Sequence, residues 1–79
     1  MPRIAFVTPL DGERLRVRFD DGSVVVYDCR PLLARTPFAP LADPAFFRTV
    51  VVDPGGYGIS WSDEIDLSEY ELRTNGTAA

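Results

Sequence analysis

The chain contains no histidine, no lysine and only one cysteine among its 79 residues. A serine or cysteine nucleophile would therefore lack the usual activating base, which disfavours nucleophilic catalysis. Cys29 cannot form a disulfide within the chain, as is typical of proteins kept in a reducing compartment. We interpret Cys29 as a small buried apolar side chain rather than a reactive thiol.

Long apolar runs are also missing, since no segment approaches the ~20 apolar residues that a membrane-spanning helix requires. No secretion signal is visible at the start of the sequence, so we expect a cytoplasmic protein with no membrane partner. Its length allows one modest hydrophobic core. We expect a single domain over 1–79, ordered from about residue 3 to 75, with a frayed tail at 76–79.

Charge is distributed unevenly along the chain, whose net charge is −4. All eight basic residues are arginine, and from Thr49 onward Arg73 is the only one. The acidic side chains of that segment are Asp53, Asp63, Glu64, Asp66, Glu69 and Glu71. Direct binding of nucleic acid is disfavoured, because it requires a net basic face. The favoured partner is a small basic protein.

Alternation of polar and apolar residues predicts antiparallel strands in the first half of the chain. A first strand over 3–8 ends before the Asp11-Gly12 turn. The segment 14–19 alternates strictly, with Leu15, Val17 and Phe19 on one face and Arg14, Arg16 and Arg18 on the other. A turn at 20–23 then leads into a strand over 24–28, which predicts a hairpin.

Two registers are open for this hairpin. A two-residue loop would turn Val24 and Val26 towards the core. A three-residue loop, with Gly22 in the left-handed conformation, would instead turn inward Val25, Tyr27 and Cys29. We prefer the second register because it gives the core the larger side chains.

The second half of the chain combines short helices with a second hairpin. Pro31 and Pro44 each begin a helical turn, with Asp43 as the cap of the second, whereas Pro37 and Pro40 prevent a longer helix. The hairpin joins Val50–Val52 to Gly58–Trp61. Its β-branched first strand is expected to be central or covered on both faces. A capping box at 68–71 predicts a closing helix that ends at Gly76.

Together these elements predict an α+β fold in one small domain. We expect an antiparallel sheet of about five strands, made of two β-hairpins plus an N-terminal strand, with short helices packed on one face. Trp61 is interpreted as a core residue, since large aromatic side chains dominate burial in small domains.

The candidate binding residues lie mainly in the acidic C-terminal third. Asp63, Glu64 and Asp66 lack the spacing of a calcium loop, so we interpret them as solvated acids and expect no metal or other cofactor. The glycine-rich segment 55–58 lacks the Lys and Ser or Thr of a phosphate loop and is interpreted as a turn with Tyr57 at its tip. The predicted partner contacts are Tyr57, Asp63, Glu64, Glu69 and Glu71, with Trp61 supporting them.

A secondary candidate surface is the arginine row on the second strand. Alternate residues of a strand lie about 6 to 7 Å apart, so Arg14, Arg16 and Arg18 could meet an acidic or phosphate-bearing surface. The alternative is a solvent-facing strand side whose arginines pair with Asp28 or with the acidic end of the same molecule.

The order of short motifs resembles the bacterial domain-of-unknown-function family 2442. These motifs are F-x-D-G, V-x-Y-D, P-L-L, D-P-x-F-F, V-x-V-D-x-x-G, I-x-W and I-D-L, and they extend from Ile4 to about Leu72. The resemblance implies a compact α+β domain with an antiparallel sheet, found alone or fused to a helix-turn-helix domain. It brings no established catalytic residues, and it implies pairing with another small protein, in the manner of a toxin-antitoxin pair.

Two functions are therefore expected. The first is a non-enzymatic protein-interaction module, the antitoxin-like partner of a small basic protein. The alternative is a self-associating structural domain, a homodimer with no separate partner, in which an exposed strand edge or apolar patch pairs two copies.

Overall fold

Two antiparallel sheets form the framework of the computed structural model, which describes residues 2–79. The first sheet has the order β1-β2-β3-β7, with the strands Ile4–Leu10, Arg14–Phe19, Val24–Asp28 and Thr77–Ala78. The second has the order β4-β5-β6, with the strands Val51–Val52, Gly58–Ser62 and Ile65–Ser68. The α+β class is confirmed, but the strands form sheets of four and three rather than one sheet of about five.

Short helical segments connect the strands. The α-helices are α1 over Pro44–Phe47 and α2 over Glu69–Asn75. Turns of 3₁₀ helix lie at Arg30–Leu32, Ala39–Ala42 and Pro54–Gly56. No helix among residues 2–79 is long and apolar enough to cross a bilayer.

The first hairpin adopts the preferred register. The Phe19 N–H donates to the Ser23 carbonyl at 2.9 Å, which leaves a three-residue loop, and Gly22 has φ +89°. Leu15 lies opposite Tyr27 and Val17 opposite Val25. The side chains turned into the core are therefore those of Val25, Tyr27 and Cys29, all buried.

Strand β1 is longer than predicted and contains an irregularity near its start. It continues through Pro9 to Leu10, which is compatible with its place at the edge of the sheet. The register shifts between Ile4, which lies opposite Phe19, and Phe6, which lies opposite Arg18. This bulge places Ile4 in the core and leaves Phe6 on the outer face.

Strand β4 does not occupy the predicted position. It is an edge strand that pairs only with β5, and Val51 is 57% exposed. The expectation of a central or doubly covered strand is wrong, because the β-branched run contributes only two residues to the ladder and one of them faces outward. Val50, just before the strand, is the buried residue of this run.

The C-terminal residues are paired rather than frayed. Thr77 and Ala78 form β7 opposite Val26 and Val25, and the Ala79 N–H donates to the Val24 carbonyl at 3.1 Å. The predicted fraying at 76–79 is wrong here because main-chain hydrogen bonds hold the segment against β3, and its small side chains give no sign of those bonds.

Two helix caps predicted from sequence are confirmed. The Asp43 carboxylate accepts from the Ala45 N–H at 3.0 Å, and the Ser68 hydroxyl accepts from the Glu71 N–H at 3.0 Å. Helix α2 ends at Asn75, directly before Gly76 as expected.

One hydrophobic core is shared by both sheets and by the helical segments between them. Its fully buried members include Leu15, Val17, Phe19, Cys29, Leu41, Ile59 and Leu72. Cys29 is buried as predicted, and burial raises the pKa of its thiol to about 12. Trp61 is half-buried at the rim of the core, where its ring packs against Phe47 and its indole N–H donates to the Phe47 carbonyl at 2.8 Å.

Candidate functional site

The predicted acidic surface is divided between the two ends of strand β5. Tyr57 precedes the strand, whereas Asp63 and Glu64 lie in the turn that follows it. At about 3.3 Å per residue, six residues of extended chain separate Tyr57 from Asp63 by about 20 Å. These side chains therefore do not form one contiguous patch.

Tyr57 is 61% exposed, but one face of its ring is occupied. The Arg3 guanidinium carbon lies 3.8 Å from the ring centroid, and the same guanidinium donates to the Gly55 carbonyl at 3.2 Å. The Glu69 N–H donates to the Tyr57 carbonyl at 2.8 Å. The loop that carries Tyr57 is thus fixed both to the start of the chain and to helix α2.

Glu69 and Glu71 both bond to side chains of the same chain. Glu69 forms an ion pair with Arg73 one turn along α2, and only 13% of its side chain is exposed. The Glu71 carboxylate accepts from the Tyr27 hydroxyl at 2.8 Å and from the Asn75 amide at 2.9 Å. Burial, followed by this bond to Glu71, raises the pKa of Tyr27, so its hydroxyl remains a donor at neutral pH.

Three exposed acids lie in and just after the turn between β5 and β6, and we call them the acidic tip: Asp63 and Glu64 in the turn, and Asp66 on β6. The ion pairs of residues 2–79 are Arg30 with Asp28 and Arg73 with Glu69, so none involves the tip. Within the same residues, no group of three or more Asp, Glu, Cys or His side chains is placed to hold a metal ion. The tip therefore presents three carboxylates to solvent.

The outer side of the first sheet forms a second charged surface, the arginine face, made of Phe6, Arg14, Arg16 and Arg18. All four side chains are exposed. The Arg18 guanidinium lies 6.0 Å from the centroid of the Phe6 ring, and Phe6 is 62% exposed. An exposed aromatic ring therefore stands at one end of a row of three positive charges.

Asp28 lies opposite Arg14 on the neighbouring strand, but it forms its ion pair with Arg30 rather than with this row. Its carboxylate binds the Arg30 guanidinium at 2.8 Å, and this bond lowers the pKa of Asp28. The Arg14 guanidinium instead donates to the Asp11 carbonyl at 3.0 Å. The three arginines face solvent and belong to no ion pair within residues 2–79, although the nearby positive charge of Arg14 also lowers the pKa of Asp28.

Sequence reasoning missed two residues of these surfaces. Phe6 should share a face with Ile4 in a regular strand, and only the bulge between them turns it outward. Tyr27 is buried in the core as expected, but its hydroxyl also donates to the Glu71 carboxylate, which the sequence did not indicate. No local sequence signal indicates either arrangement.

Comparison with known proteins places the fold in a family. The model of a family described as "Protein of unknown function (DUF2442)" matches residues 4–78. The chain belongs to this family. The resemblance inferred from its motifs is thereby confirmed, and the match extends through β7.

A solved structure has a similar fold. It is that of NE0471 from Nitrosomonas europaea, described as a "Putative DNA Binding Protein", with a TM-score of 0.73 and 26% sequence identity to this chain. The similarity covers 95% of this chain and 46% of the NE0471 chain, so this chain spans less than half the length of that relative. No curated protein matches the chain.

Proposed function

We propose that this family member is a non-enzymatic protein-interaction module, the antitoxin-like partner of a small basic protein. The observation that carries this proposal is the acidic tip, where Asp63, Glu64 and Asp66 are exposed and belong to no ion pair of the described residues. Charges arranged in this way steer an oppositely charged partner and fix its orientation.

The hairpin that bears the tip is anchored in the core. Ile65 and Leu67 alternate with Asp66 along β6, and both apolar side chains are buried. The tip is consequently held on a fixed strand pair rather than on a long loop, so a partner would meet a preformed surface. Tyr57, Glu69 and Glu71 lie away from it and would contribute only through a partner that extends along β5 to α2.

The test is a matched pair of charge reversals. Glu64→Lys changes the tip, and Asp11→Lys makes the same change in net charge at an exposed turn elsewhere. The wild-type protein and both variants are used to capture partners from native cells at low salt, and the affinity for a captured basic protein is measured by calorimetry. We expect at least a tenfold loss for Glu64→Lys and little change for Asp11→Lys. Equal losses, or none, would contradict the proposal.

A second candidate is binding to nucleic acid through the arginine face. It is supported by three exposed guanidinium groups beside an exposed aromatic ring, the combination used to bind phosphates and bases. The description of NE0471 as a "Putative DNA Binding Protein" also supports it. The net charge of −4 opposes it, so the attraction would depend on the local face rather than on the whole chain.

Salt dependence distinguishes this second candidate. Contact with three phosphates of duplex DNA predicts a slope of about −2.7 in log affinity against log salt, or roughly a 40-fold loss between 50 and 200 mM. Fluorescence anisotropy with a labelled duplex and a labelled single strand measures it. Arg16→Gln should reduce the slope, whereas Arg48→Gln, an exposed arginine outside the face, should not. Binding that does not respond to salt would exclude this candidate.

Self-association is supported by a different observation. Phe6 and Val51 are exposed on β1 and β4, two edge strands that lie beside each other. Edge strands that carry exposed apolar side chains are common sites of pairing between copies. Sedimentation equilibrium at micromolar concentration should then show a dimer for the wild-type protein and a monomer for Val51→Asp. A strictly monomeric wild-type protein would rule out self-association.

A further inference from the structure

A groove of about 600 Å³ lies beside the part of β3 that β7 leaves uncovered. Strand β7 pairs with Val25 and Val26, so Tyr27 and Asp28 have no strand partner on that side. Helix α2 and the 3₁₀ turn Arg30–Leu32 supply the remaining walls. The volume is within the range of about 300–1,000 Å³ that is usual for ligand sites.

A carboxylate without a cationic partner lines this groove. Glu71 is half-buried, and one of its oxygens accepts from the Tyr27 hydroxyl and the Asn75 amide. Both donors are neutral, and neither ion pair of residues 2–79 includes Glu71. The carboxylate is therefore held in a fixed orientation while its charge is left uncompensated, a state that a bound cation would stabilise.

The rest of the lining suits a long side chain on an extended backbone. Apolar contacts come from Val26, Pro31, Leu32 and Ala78. Such surfaces accommodate the methylene stem of lysine or arginine. The part of β3 that has no strand partner on this side, at Tyr27 and Asp28, can pair with a peptide main chain, and Arg14, which also lines the groove, offers N–H donors to peptide carbonyls.

We infer that this groove binds a lysine or arginine side chain carried by an extended segment of the basic partner. The inference rests on the proposed function, because it supplies the contact through which that partner is recognised. The side-chain cation meets the Glu71 carboxylate, its stem lies against Pro31 and Leu32, and its backbone runs along β3.

Two peptides that differ in one charge provide the test. The first is acetyl-Val-Thr-Lys-Thr-Val-amide, and the second has norleucine in place of lysine, with an arginine version as a further arm. Each is titrated into the ¹⁵N-labelled protein. We expect shifts at the Asn75 side-chain amide and at the Asp28 and Thr77 backbone amides, and at least tenfold weaker binding of the norleucine peptide.

Two protein variants separate the groove from the acidic tip. Glu71→Gln removes the charge and retains an oxygen that can accept from Tyr27 and Asn75, so the fold should persist, as circular dichroism would show. It should reduce binding of the lysine peptide to the level of the norleucine peptide. The control Glu64→Gln, which removes one charge at the exposed tip, should leave the peptide affinity unchanged.

Several outcomes would overturn the inference: equal binding of both peptides, unchanged binding by Glu71→Gln, or no shift in the groove at 5 mM peptide. The failure of this site is distinguishable from failure of the proposed function. A basic protein captured equally well by Glu71→Gln but lost by Glu64→Lys would refute the groove and support the tip. A lysine peptide that binds at Glu71 while no basic protein is captured would support the groove and refute the proposed function of the tip.

Discussion

Replacing Gly56 by alanine tests how the second sheet is joined to the first. Gly56 is buried in the turn before β5 and has φ +75°. A Cβ at this position would lie 2.5 Å from the Ile4 carbonyl oxygen and 2.9 Å from the Arg3 Cβ. Ile4 begins β1 and Arg3 directly precedes it, so the new methyl group would push the second sheet away from the first.

The expected cost has two parts, and Gly22→Ala isolates the first. Gly22 has φ +89°, but no atom lies within 4 Å of the position that an alanine methyl group would take, so its substitution costs only the left-handed conformation, about 1 kcal/mol. Gly56→Ala adds the overpacking, about 1–3 kcal/mol more. The entropy that alanine removes from the unfolded chain is common to both variants and cancels in the comparison.

Thermal unfolding followed by circular dichroism measures the difference. At about 4–8 °C per kcal/mol for a domain of this size, Gly22→Ala should lower Tm by about 4–8 °C. Gly56→Ala, at a total of about 3 kcal/mol, should lower it by about 12–24 °C. Equal Tm values for the two variants would show that the backbone of β1 yields to the methyl group and that this close contact does not hold the sheets together.

Three further predictions concern the cap and the buried titratable groups. Ser68→Ala should destabilise the protein by about 1 kcal/mol in thermal unfolding, because the Glu71 N–H loses its acceptor; an unchanged Tm would contradict the cap. Burial raises the pKa of Cys29 to about 12, so iodoacetamide at pH 8 should label the thiol in urea but not in the native protein. Because this folded-state pKa lies above the ordinary 9.0, the contribution of the neutral Cys29 thiol to folding stability is complete below pH 9 and is lost as the pH rises towards 12. The free energy of unfolding should therefore fall by up to about 1.4 kcal/mol per pH unit above pH 9. In Cys29→Ala the fall should begin only towards pH 10, where Tyr27, whose pKa is also raised by burial, starts to lower the stability. Identical pH profiles for the wild-type protein and Cys29→Ala would refute the assignment of this fall to Cys29.

Much of the first sheet could be predicted from local patterns. The alternation in 14–19 fixes which side chains of β2 face the core. Of the two registers that the Asp-Asp-Gly turn allowed, the one that buries the larger side chains of β3 is the one adopted. The caps at Asp43 and Ser68 were also visible, because a cap depends on side chains within three residues of one another.

The interactions that escaped prediction are those between distant segments. The number of sheets, the edge position of β4 and the pairing of β7 all depend on main-chain hydrogen bonds, which no side chain reports. The acidic surface was predicted from charge along the sequence, yet β5 separates its ends and the two glutamates of α2 bond within the chain. Proximity in sequence was a poor guide to proximity in the fold at this site.

Division of the strands into two sheets also explains how an acidic chain can display a basic surface. The arginines of β2 point outward from the first sheet, whereas the acidic tip belongs to the second. Arg14, Arg16 and Arg18 form no ion pair within residues 2–79, and neither does the tip, so solvent and salt are the main screen of both surfaces. A partner that approaches either surface therefore encounters its local charge, not the net charge of −4. It follows that a substitution on one surface should weaken only the binding of the partner that this surface recognises. Glu64→Lys at the tip and Arg16→Gln on the arginine face are therefore independent tests.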